Sequence, residues 1–147
     1  MNITQKEKSK QALRIFLSYS PVDKEYAQKL RNSLYGHEDL SIFSLEMLSA
    51  GEDWQSRLKN EISQCDIFIV LLSPKSIESS WVLRELGAAW ALDKIIVPIL
   101  TQPELLSRIP IQIEGVQSID INYLEEHPEL LSCIIDQYKE NMPKDHD

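Results

Sequence analysis

Apolar residues fall into short blocks separated by charged, amphipathic stretches, and the alternation is regular from Arg14 onward. Arg14-Ile15-Phe16-Leu17-Ser18-Tyr19 is β-branched and aromatic, and Ser20-Pro21 closes it with a capping serine and a proline suited to a first helical position. Val22, Tyr26, Leu30 and Leu34 recur every four residues and Gly36 supplies a stop, which predicts a helix over 21–35. A weaker strand follows over 41–45, then a loop over 46–52, with Asp53 placed to cap a helix on which Trp54, Leu58 and Ile62 share one face. Cys65 to Leu72 is almost unbroken apolar sequence, as a central parallel strand covered on both faces requires, and Ser73-Pro74 ends it.

Ser79 or Ser80 can cap a helix from Trp81 to about Leu92. Ile95 to Leu100 reads as a strand whose Pro98 argues for a strand end or a bulge. Beyond it, 101–114 reads as Pro-interrupted loop, 116–121 as a final strand, and Pro128 as the opening of a closing helix to about Asn141. Strands alternating with helices at this spacing predict an α/β fold, a flavodoxin-like five-stranded parallel sheet of order 2-1-3-4-5 with helices on both faces. In such a sheet the ligand crevice lies beyond the carboxyl ends of the first and third strands, which gathers Tyr19-Ser20, the 45–53 loop and the segment from Ser73 to Glu85 around one cleft. The domain is expected over 13–141, with a flexible extension over 1–12 and a mobile tail over 142–147.

Composition narrows the chemistry. With 23 acidic against 15 basic residues and a net charge of −8, the chain repels phosphate backbones and anionic lipid, so direct nucleic-acid and membrane partners are not expected. No apolar run approaches the roughly 20 residues of a membrane span, and nothing at the N-terminus resembles a signal peptide. Cys65 and Cys133 are far apart and suit buried, reduced thiols in a cytoplasmic protein. The four glycines, Gly36, Gly51, Gly87 and Gly115, can write neither a dinucleotide fingerprint nor a P-loop. His37, His127 and His146 offer no evident base to a serine or cysteine, and metal-ligand spacing is absent, so neither a cofactor nor a metal is expected. A phosphoacceptor domain of this fold needs an aspartate where Ser73 stands. What remains is carboxylate chemistry beside an aromatic surface: Trp81 and Glu85 lie four apart on one helix face, at the predicted crevice.

Three blocks in order resemble the TIR (Toll/interleukin-1 receptor) domain, over essentially Arg14 to Leu100. Ile15 to Asp23 is similar to its opening "F-[IL]-S-Y-S-x-x-D", and Leu48-Ser49-Ala50-Gly51-Glu52-Asp53-Trp54 to "L-x-x-G-x-x-W" at the end of its BB loop. Asp66 to Glu85 is similar to the bacterial form that runs through S-P and W to a glutamate. The resemblance implies that Glu85 is catalytic, that NAD+ is the substrate and not a cofactor, and that nicotinamide leaves to give ADP-ribose or a cyclic isomer. It implies that Trp81, Tyr19, Ser20, Leu45 and Glu46 line the substrate pocket, and that Leu48, Gly51 and Trp54 belong to the loop that meets other TIR domains when the protein self-assembles. The loop departs from the common bacterial version at Ala50, where proline is frequent, and at Ser44-Leu45, where an acidic residue often follows the second strand, so Glu46 stands in. Trp54 and Trp90 are also expected to pack in the core. A TIR–TIR scaffold without turnover and a nucleoside deoxyribosyltransferase-like enzyme are the alternative readings, and antiphage signalling is the setting the bacterial motif forms imply.

Overall fold

The computed structural model describes residues 12–34, 40–109 and 118–141. The expected N-terminal extension and tail, Gly36, His37, Gly115 and His146 lie outside the described residues. Strands β1 (Leu13–Ser18), β2 (Leu40–Ser44), β3 (Ile67–Leu72), β4 (Ile95–Leu100) and β5 (Ile119–Asp120) form one parallel sheet in the order β2-β1-β3-β4-β5. Between them run α1 (Lys24–Leu34), α2 (Trp54–Gln64) and α3 (Ser80–Ala91), and after β5 come α4 (Ile121–Glu126) and α5 (Glu129–Asn141).

Alternation along the strands divides the interior in two. Leu13, Ile15, Leu17 and Tyr19 of the first strand and its end, with Ile67, Ile69 and Leu71 of β3, pack against α1, α4 and α5. Phe16, Phe68, Val70 and Leu72 point the other way and pack against α2 and α3 through Leu58, Ile62, Val82, Leu86 and Ala89. Every residue of β3 is buried, as its unbroken apolar run requires of a strand covered on both faces.

Local chemistry sets the helix starts. Asp53 accepts from the Ser56 amide, Ser79 from the Val82 amide and Asp120 from the Asn122 amide, each satisfying a free N–H of a first turn. Pro21 opens a 3-10 turn, Pro21–Asp23, ahead of α1.

Several expectations need correction. Leu30 and Leu34 of the expected stripe are buried, joined by Ala27; Val22 lies in the 3-10 turn ahead of α1 and is 61% exposed, and Tyr26 is exposed because a strict four-residue spacing drifts by about 40° per step around the helix. Pro98 neither ends nor bulges β4 but pairs in register with Val70. Its missing N–H is tolerated because β5 meets β4 only at Ile99 and Leu100. The last strand is two residues long, and Ile121 belongs to α4, a helix not predicted; the stretch 116–117 lies outside the described residues. Trp90, 53% exposed, and Trp54, 39% exposed, are not core residues. Cys65 is buried but Cys133 is exposed, and both are free.

Candidate active site

Glu85 occupies the buried face of α3, between Val82 and Leu86, where a leucine would be the ordinary choice. It is 5% exposed. Among the described residues its hydrogen-bond partner is Ser18, whose hydroxyl donates to Oε1 at 2.6 Å from the end of β1. Burial pushes the Glu85 carboxyl up to about 7, with the Ser18 hydrogen bond acting in the opposite direction. A carboxyl poised at neutrality in a partly dry site is held in this way at cost to the fold, and such displacement concentrates at functional centres.

Glu85 is also on the lining of a cavity of about 370 Å3 between α2 and α3, with Trp54, Gln55, Leu58, Lys59, Ile62, Trp81, Arg84, Ala88 and Leu92. Trp54 and Trp81, both on its lining, pack against each other, ring centroids 5.3 Å apart and tilted by 42°. The Trp81 Nε1–H is buried without an acceptor among the described residues. Leu58, Ile62, Ala88 and Leu92 make the rest of the wall largely apolar, with Gln55, Lys59 and Arg84 as its polar members, so the arrangement is an aromatic surface beside one buried carboxylate. It can hold a flat ring and stabilise positive charge developing beside it.

The remaining predicted residues sit along the same carboxyl edge of the sheet but in two neighbouring clusters. Tyr19 belongs to the opposite core face; its hydroxyl bonds Glu46, and burial followed by that bond pushes it up to about 12. Glu46 also pairs with Arg31 at 2.8 Å, and Arg31 reaches the Ser44 hydroxyl, so Glu46 is engaged at the end of β2. Leu45 opens the 3-10 turn Leu45–Met47 and is half-buried. Ser20 is buried and its carbonyl accepts from the Asp23 amide at 2.8 Å. Leu48 packs against the α2–α3 core cluster, and Gly51 adopts φ +84°, a left-handed turn conformation that L side chains rarely adopt. Glu52 closes this loop by accepting from the Ser49 amide and from Arg57 at 2.6 Å.

Two functional-looking contacts escaped the sequence reading. Ser18 is one, although strand alternation already put it on the face of Phe16, toward α3. The other is a buried link in which the Ser73 hydroxyl donates to Asp23 at 2.7 Å, while Ser76 accepts from the Ser73 amide at 2.6 Å. Ser73 is therefore more than a strand terminator: it fastens the β3–α3 loop to the turn after β1. Among the described residues no cluster of histidine, cysteine, aspartate and glutamate could hold a metal, and no helix is long and apolar enough to cross a membrane.

Over residues 15–132 the sequence matches the family model described as TIR domain. The chain belongs to the TIR domain family. The match runs well past Leu100, so the C-terminal third shares the family pattern too. No curated protein matches the sequence significantly. The fold is similar to the TIR domain of a Toll-related receptor from Hydra magnipapillata, with TM-score 0.63 and 15% identity over 85% of this chain and 97% of that one. It is similar to a metazoan TIR-STING receptor from C. gigas, with TM-score 0.65 and 19% identity over 88% of this chain and 40% of that one. It is also similar to a CMP N-glycosidase from Clostridium botulinum, with TM-score 0.57 and 21% identity over 81% of this chain and 98% of that one. At such identities these likenesses concern the TIR fold alone.

Proposed function

We propose that this TIR domain cleaves the bond between nicotinamide and ribose in NAD+. The observation that carries the reading is Glu85: a buried carboxyl, poised near neutrality, on a residue that lines a cavity together with an aromatic pair. The nicotinamide ring lies against Trp81 and Trp54 with C1′ of its ribose over Glu85. As the C1′–N bond breaks, its electron pair moves to the ring nitrogen and neutralises the pyridinium, leaving an oxocarbenium-like ribose that the ionised Glu85 stabilises. Water then adds to C1′ and loses a proton, giving ADP-ribose; capture by a nitrogen of the adenine gives a cyclic isomer. Nicotinamide leaves as a neutral base, so no general acid is required for its departure. The N-glycosidase activity named for the Clostridium botulinum protein is cleavage of a related bond on a similar fold, which supports the chemistry.

Self-association with other TIR domains fits the loop geometry, since Met47 and Trp54 stay exposed while Leu48 and Glu52 tie the loop down. The same exposed residues support a second reading, a TIR–TIR interaction module without turnover. The bacterial form of the motif from Ser73 to Glu85 supports an antiphage immune setting.

The test is NAD+ consumption at high protein concentration, with products separated by chromatography and Glu85→Ala alongside. Nicotinamide release by the wild type alone supports the enzyme, and the co-product identifies its subtype. If neither protein consumes NAD+, even when tethered into oligomers, the interaction module is the better reading.

A further inference from the structure

The Glu85 cavity carries charge of both signs, sorted by depth. The carboxyl is buried, whereas the two cations on its lining, Lys59 of α2 and Arg84 of α3, are exposed at the mouth. In a chain with net charge −8 most well-placed cations are spent on carboxylates: Arg14 on Glu61, Arg31 on Glu46, and Arg57 on both Glu52 and Glu61. Lys59 and Arg84 are not. Among the described residues neither side chain makes an ion pair or a hydrogen bond, and Lys59 senses the Asp53 carboxylate only through space. The Trp81 Nε1–H adds a third unspent donor on the same lining. Only Glu85 among these lining groups offers a charged acceptor.

We infer that Lys59 and Arg84 form an anion-binding rim for the phosphates of the ligand whose ribose reaches Glu85, so that the cavity selects phosphorylated glycosides over uncharged nucleosides. The placement of the ribose rests on the reading above; the rim itself does not. A ligand with a cationic ring, a sugar and a phosphate at the sugar's far carbon has the same order of charge as this cavity, positive beside the deep carboxylate and negative between the outer cations. Arg84 can bind a phosphate through two parallel N–H donors, while Lys59 contributes a compact charge from the opposite helix. Both sit at a solvated mouth, so the contribution falls with ionic strength.

The rim is tested by calorimetric titration of ADP-ribose and of adenosine into the wild type and into Lys59→Glu/Arg84→Glu, with thermal melts of both proteins. Arg84→Gln serves as a milder variant should the double charge reversal lower the melt. The expected result is ADP-ribose binding that weakens by roughly tenfold or more in the double variant and with added salt, while adenosine binding is unchanged. Equal wild-type affinity for the two ligands, no binding of ADP-ribose, or an equal loss for both in a folded variant would overturn the rim. Nicotinamide release from NAD+, followed in parallel, separates the two claims. Charge-dependent ADP-ribose binding without release, even from protein tethered into oligomers, removes the NAD+ reading and leaves the rim; release that the charge reversals leave untouched removes the rim and leaves the enzyme.

Discussion

The Ser18 hydroxyl donates to the Glu85 carboxylate at 2.6 Å, joining the carboxyl end of β1 to the buried face of α3. The bond favours the charged form of a group whose burial favours the neutral one. In Ser18→Ala the carboxyl therefore holds its proton more tightly. The pH profile of kcat/KM for nicotinamide release, expected to rise through about 7 in the wild type as Glu85 ionises, should shift to higher pH, by on the order of one unit. Activity lost at neutrality should return in alkaline buffer, and a profile that keeps its midpoint would sink this account.

The same burial makes Glu85 a liability for folding. Its folded value near 7 lies above the usual 4.5, so the native state binds its proton more tightly than the unfolded chain does. The contribution is favourable below about 4.5 and is lost as pH rises toward and through 7. Glu85→Gln should therefore melt at a higher temperature than the wild type at pH 8, by a few degrees. The gap should close on acidification toward pH 5, as recorded by paired melts across pH.

Trp54 and Trp81 should separate binding from folding. Trp54 is exposed, so Trp54→Ala should leave the melt within a degree or two while raising KM for NAD+ roughly tenfold through the lost ring contact. Trp81 is half-buried against the α2–α3 core, so Trp81→Ala should lower both the melt and the affinity. Steady-state kinetics beside calorimetry distinguishes the two.

The buried bond between Ser73 and Asp23 spans 50 residues and holds the loop that leads into α3. Ser73→Ala leaves the Asp23 carboxylate short of a donor and should cost about 1–3 kcal/mol in urea unfolding. A silent substitution would mean that this link carries no stability.

The two cysteines should react at different rates. Burial pushes the Cys65 thiol up to about 11, whereas Cys133 lies exposed on α5. Iodoacetamide at pH 8 should modify Cys133 in the native protein and Cys65 only after unfolding, as peptide mass spectrometry can resolve.

The fold was legible because its signals are local. An all-apolar β3 demands cover on both faces, and capping residues at Asp53 and Ser79 mark helix starts without reference to the rest of the chain. Where the reading failed, distant partners or helical phase decided. Leu30 and Leu34 are buried as expected, but Val22 sits in the 3-10 turn before α1, and the strict four-residue spacing carries Tyr26 off the inner face, which Ala27 completes. Trp90 looks like core by size alone, yet Ala89 and Leu86 define the inner face of α3 and leave Trp90 outside. At the site, Trp81 and Glu85 could be paired by their four-residue spacing. Ser18 required knowing that β1 lies beneath α3, and the Asp23–Ser73 bond is invisible to any local pattern.

The division of the interior into two clusters has a consequence for how the domain could be controlled. Leu17 and Tyr19 touch the α1, α4 and α5 side of the sheet, while Ser18 between them touches the Glu85 side. A protein gripping α1 or α5 can therefore reach the carboxylate's side of the sheet by two routes, the Asp23–Ser73 bond and β1 itself, where Leu17, Ser18 and, just past the strand's end, Tyr19 alternate between the two compartments. A twist of β1 small enough to leave its ladder intact would change the distance from Ser18 to Glu85, making this backbone segment a transmission shaft between an outer contact and the chemistry.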